Sequence, residues 1–212
     1  MYDFLDKLFP NVDKEIKRLF TRYKSIVKFD ELNALSNKTR ELYLSLEEVN
    51  VRFYLKIAQE AYDRAFKQGW ELKGETRNYE NYKSDLTKTW LLLNVFAVHN
   101  PVTEYVYKNE VDRKRARFYE MLVATQKVLL SIKKAMQLWR QQTKEYAITV
   151  VDTATLQGFK DAGITHVIRK AVKDGSTCAT CAELNGKVYP IDKIPSKTHY
   201  NCRCYYVPYI EK

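Results

Sequence analysis

All four cysteines of this 212-residue chain lie in one stretch near its C-terminus, DGSTCATCAELNGKVYPIDKIPSKTHYNCRCYYVP, as Cys178, Cys181, Cys202 and Cys204, with His199 among them. Thiolates and imidazoles are the donors zinc takes, and structural zinc is held by four of them in a tetrahedron. Cys178-x-x-Cys181 supplies one pair from a tight turn, and His199-x-x-Cys202 supplies a second pair at the same gap. Cys204 opens an alternative, because residues two apart on a strand point the same way and Cys202 with Cys204 would complete an all-cysteine site. Disulfides compete with both metal readings, as do reduced thiols that are merely buried. A catalytic ion would need an open position and a nearby base. Asp174, Glu183 and Asp192 are available for that, but turn and surface roles account for them.

The elements that must position these residues are short. ITHVIRKAV alternates like a strand, KVYPI reads as a second and CRCYYVPYI as a third, with turns at Gly175 and Asn185-Gly186. Roughly fifty residues with three short strands bury little apolar surface, and folds near that size lean on a metal or on disulfides. A structural zinc ion would supply what so small a core lacks.

The first two thirds of the chain read as helix. Pro10-Asn11 opens a run in which Ile16, Leu19, Phe20 and Ile26 repeat near the helical period. A short helix over 30–35 follows, and Ser36 then caps a long helix to about Gln68, with Gly69 as its stop. GWELKGETRNYENYK has no apolar period and reads as a loop. Ser84 caps a further helix ending at His99, where Asn100-Pro101 turns the chain. From Val102 to about Val150 nothing breaks a helix, and Phe118, Met121, Leu122, Val128, Leu129, Ile132, Met136 and Trp139 form an apolar stripe best read as core. The character changes again around Gly163. The expected fold is therefore mainly α: an elongated multi-helix body over 1–150, carrying a small β-rich, zinc-stabilised subdomain over 151–212.

Charge adds a second candidate chemistry. With 36 Lys and Arg against 26 Asp and Glu, the formal net charge is +10, a balance that favours anionic partners, nucleic acid first. Lys108, Arg113, Lys114, Arg115 and Arg117 form a dense run, and Lys127, Lys133, Lys134, Arg140 and Lys144 lie beside the apolar stripe. A solvated helical face explains them too. Phosphate contact needs no exact spacing, since affinity comes from counterion release. The N-terminus lacks the form of a secretory signal, and the longest apolar run, 90–98, is about half a membrane span. No membrane partner is expected, and synthesis in the cytoplasm favours metal-bound over oxidised cysteines.

The series Asp174, Thr177-Cys178-x-x-Cys181, Leu184-Asn185-Gly186-Lys187, Pro195 and His199-Tyr200-Asn201-Cys202-Arg203-Cys204 resembles the signature of the Mu F-like phage head morphogenesis (minor capsid) proteins. The likeness spans about Ala147 to Pro208. It departs at Tyr200, where proline is common, and at Ser176, where a basic residue is common, and neither change removes a ligand. The resemblance implies a virion protein of a tailed phage, present in few copies at the portal-proximal interior of the head and contacting portal protein and packaged double-stranded DNA. Major capsid or scaffolding protein are further partners it implies. Relatives with a toxin or transferase domain carry it after the motif. Only eight residues follow Cys204 here, so no such domain is expected.

Two other classes compete. A free-standing zinc-containing nucleic-acid-binding regulator fits the charge, although no helix-turn-helix or zinc-finger spacing is visible. A metal-dependent nuclease would have only His166 and His199 near the cysteines, and the chain has no phosphate-binding glycine loop, nucleophile elbow or HExxH. The expectation is a structural protein, not an enzyme.

Overall fold

A computed structural model describes residues 2–27, 32–74, 128–172, 177–195, 197 and 202–211. In chain order the elements are α1 (Asp3–Val27), α2 (Leu32–Leu72), α3 (Val128–Asp161), β1 (His166–Lys170), α4 (Ala179–Glu183), β2 (Val188–Pro190) and β3 (Tyr205–Tyr209). The described chain is thus mainly helical with a small C-terminal sheet, as the patterning implied. The predicted helix over 84–99 and the run from Lys108 to Lys127 lie outside the described residues. None of the described helices is long and apolar enough to cross a membrane.

The chain divides into two compact units, one of Met1–Leu5, Tyr54–Leu92 and Glu145–Lys212, the other of Asp6–Phe53 and Leu93–Lys144. The second unit is a helical core. Ile16, Phe20 and Tyr23 of α1 meet Leu42, Leu46 and Val49 of α2 and Trp139 of α3, the positions that the helical period singles out. One buried polar group there is anchored within the core: the Thr143 hydroxyl donates to the Trp139 carbonyl at 2.8 Å and lies 3.2 Å from Asn50 Oδ1. Arg140 and Asp13 form a two-pronged ion pair between α3 and α1.

In the unit that holds the cysteines, Ile57, Ala58, Ala61, Tyr62, Ala65 and Phe66 of α2 are buried, as are Val151, Ala154 and Phe159 of α3. Gly158 permits the closest approach: a Cβ there would stand 2.6 Å from the Tyr62 carbonyl oxygen and 3.1 Å from the Phe66 nitrogen. Tyr62 also donates its hydroxyl to Asp161 Oδ2 at 2.6 Å. Helix α3 ends on Gly163 at φ 77°. The Ile164 N–H reaches back to the Phe159 carbonyl and the Gly163 N–H to that of Lys160, both at 2.9 Å, the paired bonds of a Schellman end.

The sheet is antiparallel in the order β2-β1-β3, with Val167 opposite Tyr189 on one side and Pro208 on the other. The turn at Asn185-Gly186, with Gly186 at φ 83°, is tied to β1. Gly186 N–H donates to the Arg169 carbonyl at 2.7 Å, and Asn185 Oδ1 accepts from Ala171 N–H at 2.9 Å.

Five element boundaries differ from the sequence expectation, the first being the end of α3, which passes the expected Val150 and runs to Asp161, so the expected division at 150–151 falls inside a helix. Helix α1 begins at Asp3 and contains Pro10, because burying Phe4 and Leu5 ahead of the proline offsets one missing backbone bond. Ser36 lies inside α2, since no glycine or proline separates it from the residues before. Gly69 does not stop α2, which runs to Leu72. A Cβ at 69 would stand 2.8 Å from the Ala162 Cβ, so the glycine serves a close approach. The third strand starts at Tyr205, leaving Cys202 and Cys204 in the segment before it.

Candidate metal centre

Cys181, Cys202 and Cys204 converge. Their sulfurs all lie within 4.8 Å of one another, the Cys181 and Cys202 sulfurs are 3.5 Å apart, and all three residues are buried. Thiolates bound at about 2.3 Å to one tetrahedral ion sit about 3.8 Å apart, so this spacing suits a shared metal. None of the four cysteines is joined in a disulfide.

Local structure explains the convergence. Cys178 is not on a plain turn: it is the N-cap of α4, its sulfur accepting the Cys181 N–H at 3.3 Å, and one helical turn then aims Cys181 inward. Cys178 packs against the cluster at its margin. Its sulfur is not among the three that share the 4.8 Å limit. Opposite α4, the Cys202–Cys204 segment is held by its backbone. Lys197 Nζ donates to the Cys202 carbonyl at 2.8 Å and Tyr2 Oη to the Cys204 carbonyl at 3.2 Å. Lys197 also donates to Tyr2 Oη at 2.8 Å and pairs with Asp152, which in turn accepts from the Tyr2 hydroxyl.

The electrostatics set the thiols of this pocket apart. Burial opposes ionisation of Cys202, yet the Cys204 N–H, the neighbouring Cys181 and Cys204 sulfurs and the Lys197 cation hold its thiol below the ordinary value. Burial and the adjacent sulfurs push Cys204 up to about 12. The Cys202 proton therefore leaves more readily than that of an ordinary thiol and the Cys204 proton less readily, as expected of coupled thiols that lack a shared cation. A coordinated thiol is deprotonated outright, so a metal would remove that conflict.

A model of the family described as Phage Mu protein F like protein matches residues 58–207, well over half of the chain. This chain belongs to that family. No curated protein and no solved structure matches it significantly. The family is one of phage head proteins, so membership supports head morphogenesis as the function class and the virion as the location.

The match includes the whole cysteine cluster, β1, β2 and the first three residues of β3. Of the residues singled out in sequence, Cys181, Cys202 and Cys204 come together, Cys178 stands beside them, and His199 lies outside the described residues. Among the basic candidates, Lys108, Arg113, Lys114, Arg115, Arg117 and Lys127 also lie outside them. Lys133, Lys134 and Lys144 are exposed on α3, Lys144 having its ammonium 5.8 Å from the Phe9 ring centre. Arg140 is engaged by Asp13. Asp192 pairs with Lys160 at 2.7 Å and Glu183 with Lys187 at 3.6 Å, all exposed, in the surface roles anticipated for them. Asp174 is outside the described residues, and His166 Nδ1 lies 3.0 Å from Thr165 Oγ1.

Four residues of this centre were not anticipated: Tyr2, Asp152, Arg169 and Lys197. For Arg169 a signal existed. In HVIRK the alternation that sends Val167 to the core sends Arg169 with it, and a cation at an inward strand position asks for an anion. Tyr2 and Asp152 are remote in sequence and carried no such mark.

Proposed function

We propose that this chain is a minor head protein of a tailed phage, held in few copies at the portal-proximal interior of the capsid. There it contacts the portal protein and packaged double-stranded DNA, and aids head assembly or the onset of DNA delivery. The observation that carries the reading is the family match over residues 58–207. The net charge of +10 supports the DNA contact, and the major capsid or scaffolding protein are further neighbours. The role is structural, with no catalytic residue assigned.

Zinc is the ion that fits the donor set. Cys181, Cys202 and Cys204 would hold it, with a fourth ligand from Cys178 or His199. When bound, the ion supplies folding free energy, on the order of 10 kcal/mol in small zinc domains, to an element with little core of its own. The reading is tested on purified particles. Quantitative mass spectrometry should find this chain in far fewer copies than the major shell protein, and cross-linking should join it to the portal. Hundreds of copies per particle, or none, would overturn it. Supercoiled DNA left intact by the pure protein with divalent metals is expected, and nicking would favour an enzyme instead.

A further inference from the structure

Arg169 is fully buried on the inward face of β1. Its backbone is satisfied by the turn at 186–187, but its side chain is not: Nε and Nη1 have no hydrogen-bond partner. A buried guanidinium without an opposite charge costs several kcal/mol, and folds retain such charges when they are paired. Among the described residues no carboxylate pairs with it. Asp152, whose field it feels, is taken up by Lys197 and Tyr2.

What faces Arg169 is sulfur. Its Nη2 stands 3.9 Å from the Cys181 sulfur and 3.9 Å from that of Cys202. Neutral thiols are weak acceptors and would leave the cation uncompensated, whereas thiolates accept charge-assisted bonds. A divalent ion bound by three thiolates and a neutral ligand retains one negative charge, and one bound by four retains two. A single guanidinium cancels the first and halves the second.

We infer that Arg169 is the resident counter-ion of a thiolate-rich metal complex on Cys181, Cys202 and Cys204, a positioning residue that sets the placing of these sulfurs. The inference rests on the zinc reading above and adds that the complex is anionic, with its charge met from within β1. Partners beyond the ligands themselves typically alter metal affinity by about 10–100-fold.

The test uses the full chain with Arg169→Met, which keeps length and apolar stem, and Arg169→Lys, which keeps the charge and gives up the fork. Zinc affinity is read by competition with a chromophoric chelator, and the sulfur-to-cobalt charge-transfer band is read after cobalt(II) substitution. Arg169→Met should weaken zinc binding by about 10–100-fold and move the band to longer wavelength, because sulfur electrons no longer held by a cation are more easily transferred. A packing role alone would leave the band energy where it is. Arg169→Lys should return the band toward its native position. Native affinity with an unmoved band in Arg169→Met would overturn the inference, as would a lysine variant no better than the methionine one. If Arg169→Met fails to fold, the lysine variant decides: a native band and near-native affinity support the counter-ion, and their loss refutes it. Absence of zinc from the native chain would instead refute the zinc reading itself.

Discussion

Each backbone carbonyl that brackets Arg203 has its own donor, Lys197 for Cys202 and Tyr2 for Cys204, so the two sulfurs are positioned before any ion arrives. That preorganisation makes Cys202 and Cys204 equal in consequence. Cys202→Ser and Cys204→Ser should each reduce zinc from about one per chain to near none, since a structural site of this kind tolerates no missing thiolate; elemental analysis of protein prepared under reducing conditions checks this. Cys178 differs, because a serine oxygen caps a helix at least as well as sulfur does. Cys178→Ser and His199→Ala should therefore divide: the one that supplies the fourth ligand abolishes tight binding, and the other leaves it. At this scale the sequence was most legible where chemistry is confined to rare residue types. Four cysteines in one stretch announce their purpose, and spacing alone left open which of them meet. Lysine, tyrosine and aspartate are too common to mark a role, so Lys197, Tyr2 and Asp152 emerge only when the fold brings residues about 50 to 200 positions apart together.

Helix packing adds two predictions. Alanine is about 1 kcal/mol better than glycine inside a helix, so propensity alone says that Gly158→Ala should stabilise α3. Packing says the reverse, because the added Cβ would press on the Tyr62 carbonyl oxygen at 2.6 Å and the Ala65 Cβ at 3.0 Å, and backbone cannot step aside as a side chain can. The expected outcome is a net loss of about 1–3 kcal/mol, read by urea denaturation. The ion pair between α1 and α3 gives the other. Burial works against the Asp13 carboxylate, but hydrogen bonds from Arg140 and Lys17 and their charges hold its pKa below the ordinary value. A depressed carboxylate stabilises the fold above its unfolded pKa near 4, and that contribution is lost as pH falls through the folded value. Asp13→Asn should therefore cost about 1–2 kcal/mol at neutral pH and little at about pH 2, as denaturation at both values would show. Elements were legible wherever period or punctuation was strong: α1 and α2 along their apolar faces, and three short strands near the C-terminus. The misplaced boundaries at Pro10 and Gly69 share one cause. A local breaker or cap yields when tertiary packing on both sides of it favours continuing the helix.

Across the whole molecule, charge is the property that composition displays and no single contact carries. A net charge of +10 acts through the summed field, so the predicted partner is any DNA duplex and not one sequence. Lys133, Lys134 and Lys144 are exposed on one helix, while Arg140 spends its charge on Asp13, which lowers the number of α3 cations free to meet phosphate. If about four to six phosphates are neutralised by the whole chain, the logarithm of affinity should fall against the logarithm of salt with a slope near minus four to minus five. Fluorescence anisotropy with an unrelated pair of duplexes, titrated across salt concentrations, measures both slope and specificity. The two duplexes should bind alike at each salt. Binding that is absent at low salt, or that ignores salt, would remove DNA from the partners of this protein and leave its positive field to an acidic protein surface. Charge reversal at Lys133, Lys134 and Lys144 together then locates the contact: a slope shallower by about two to three would place it on α3, and an unchanged slope would assign it to other basic residues of the chain.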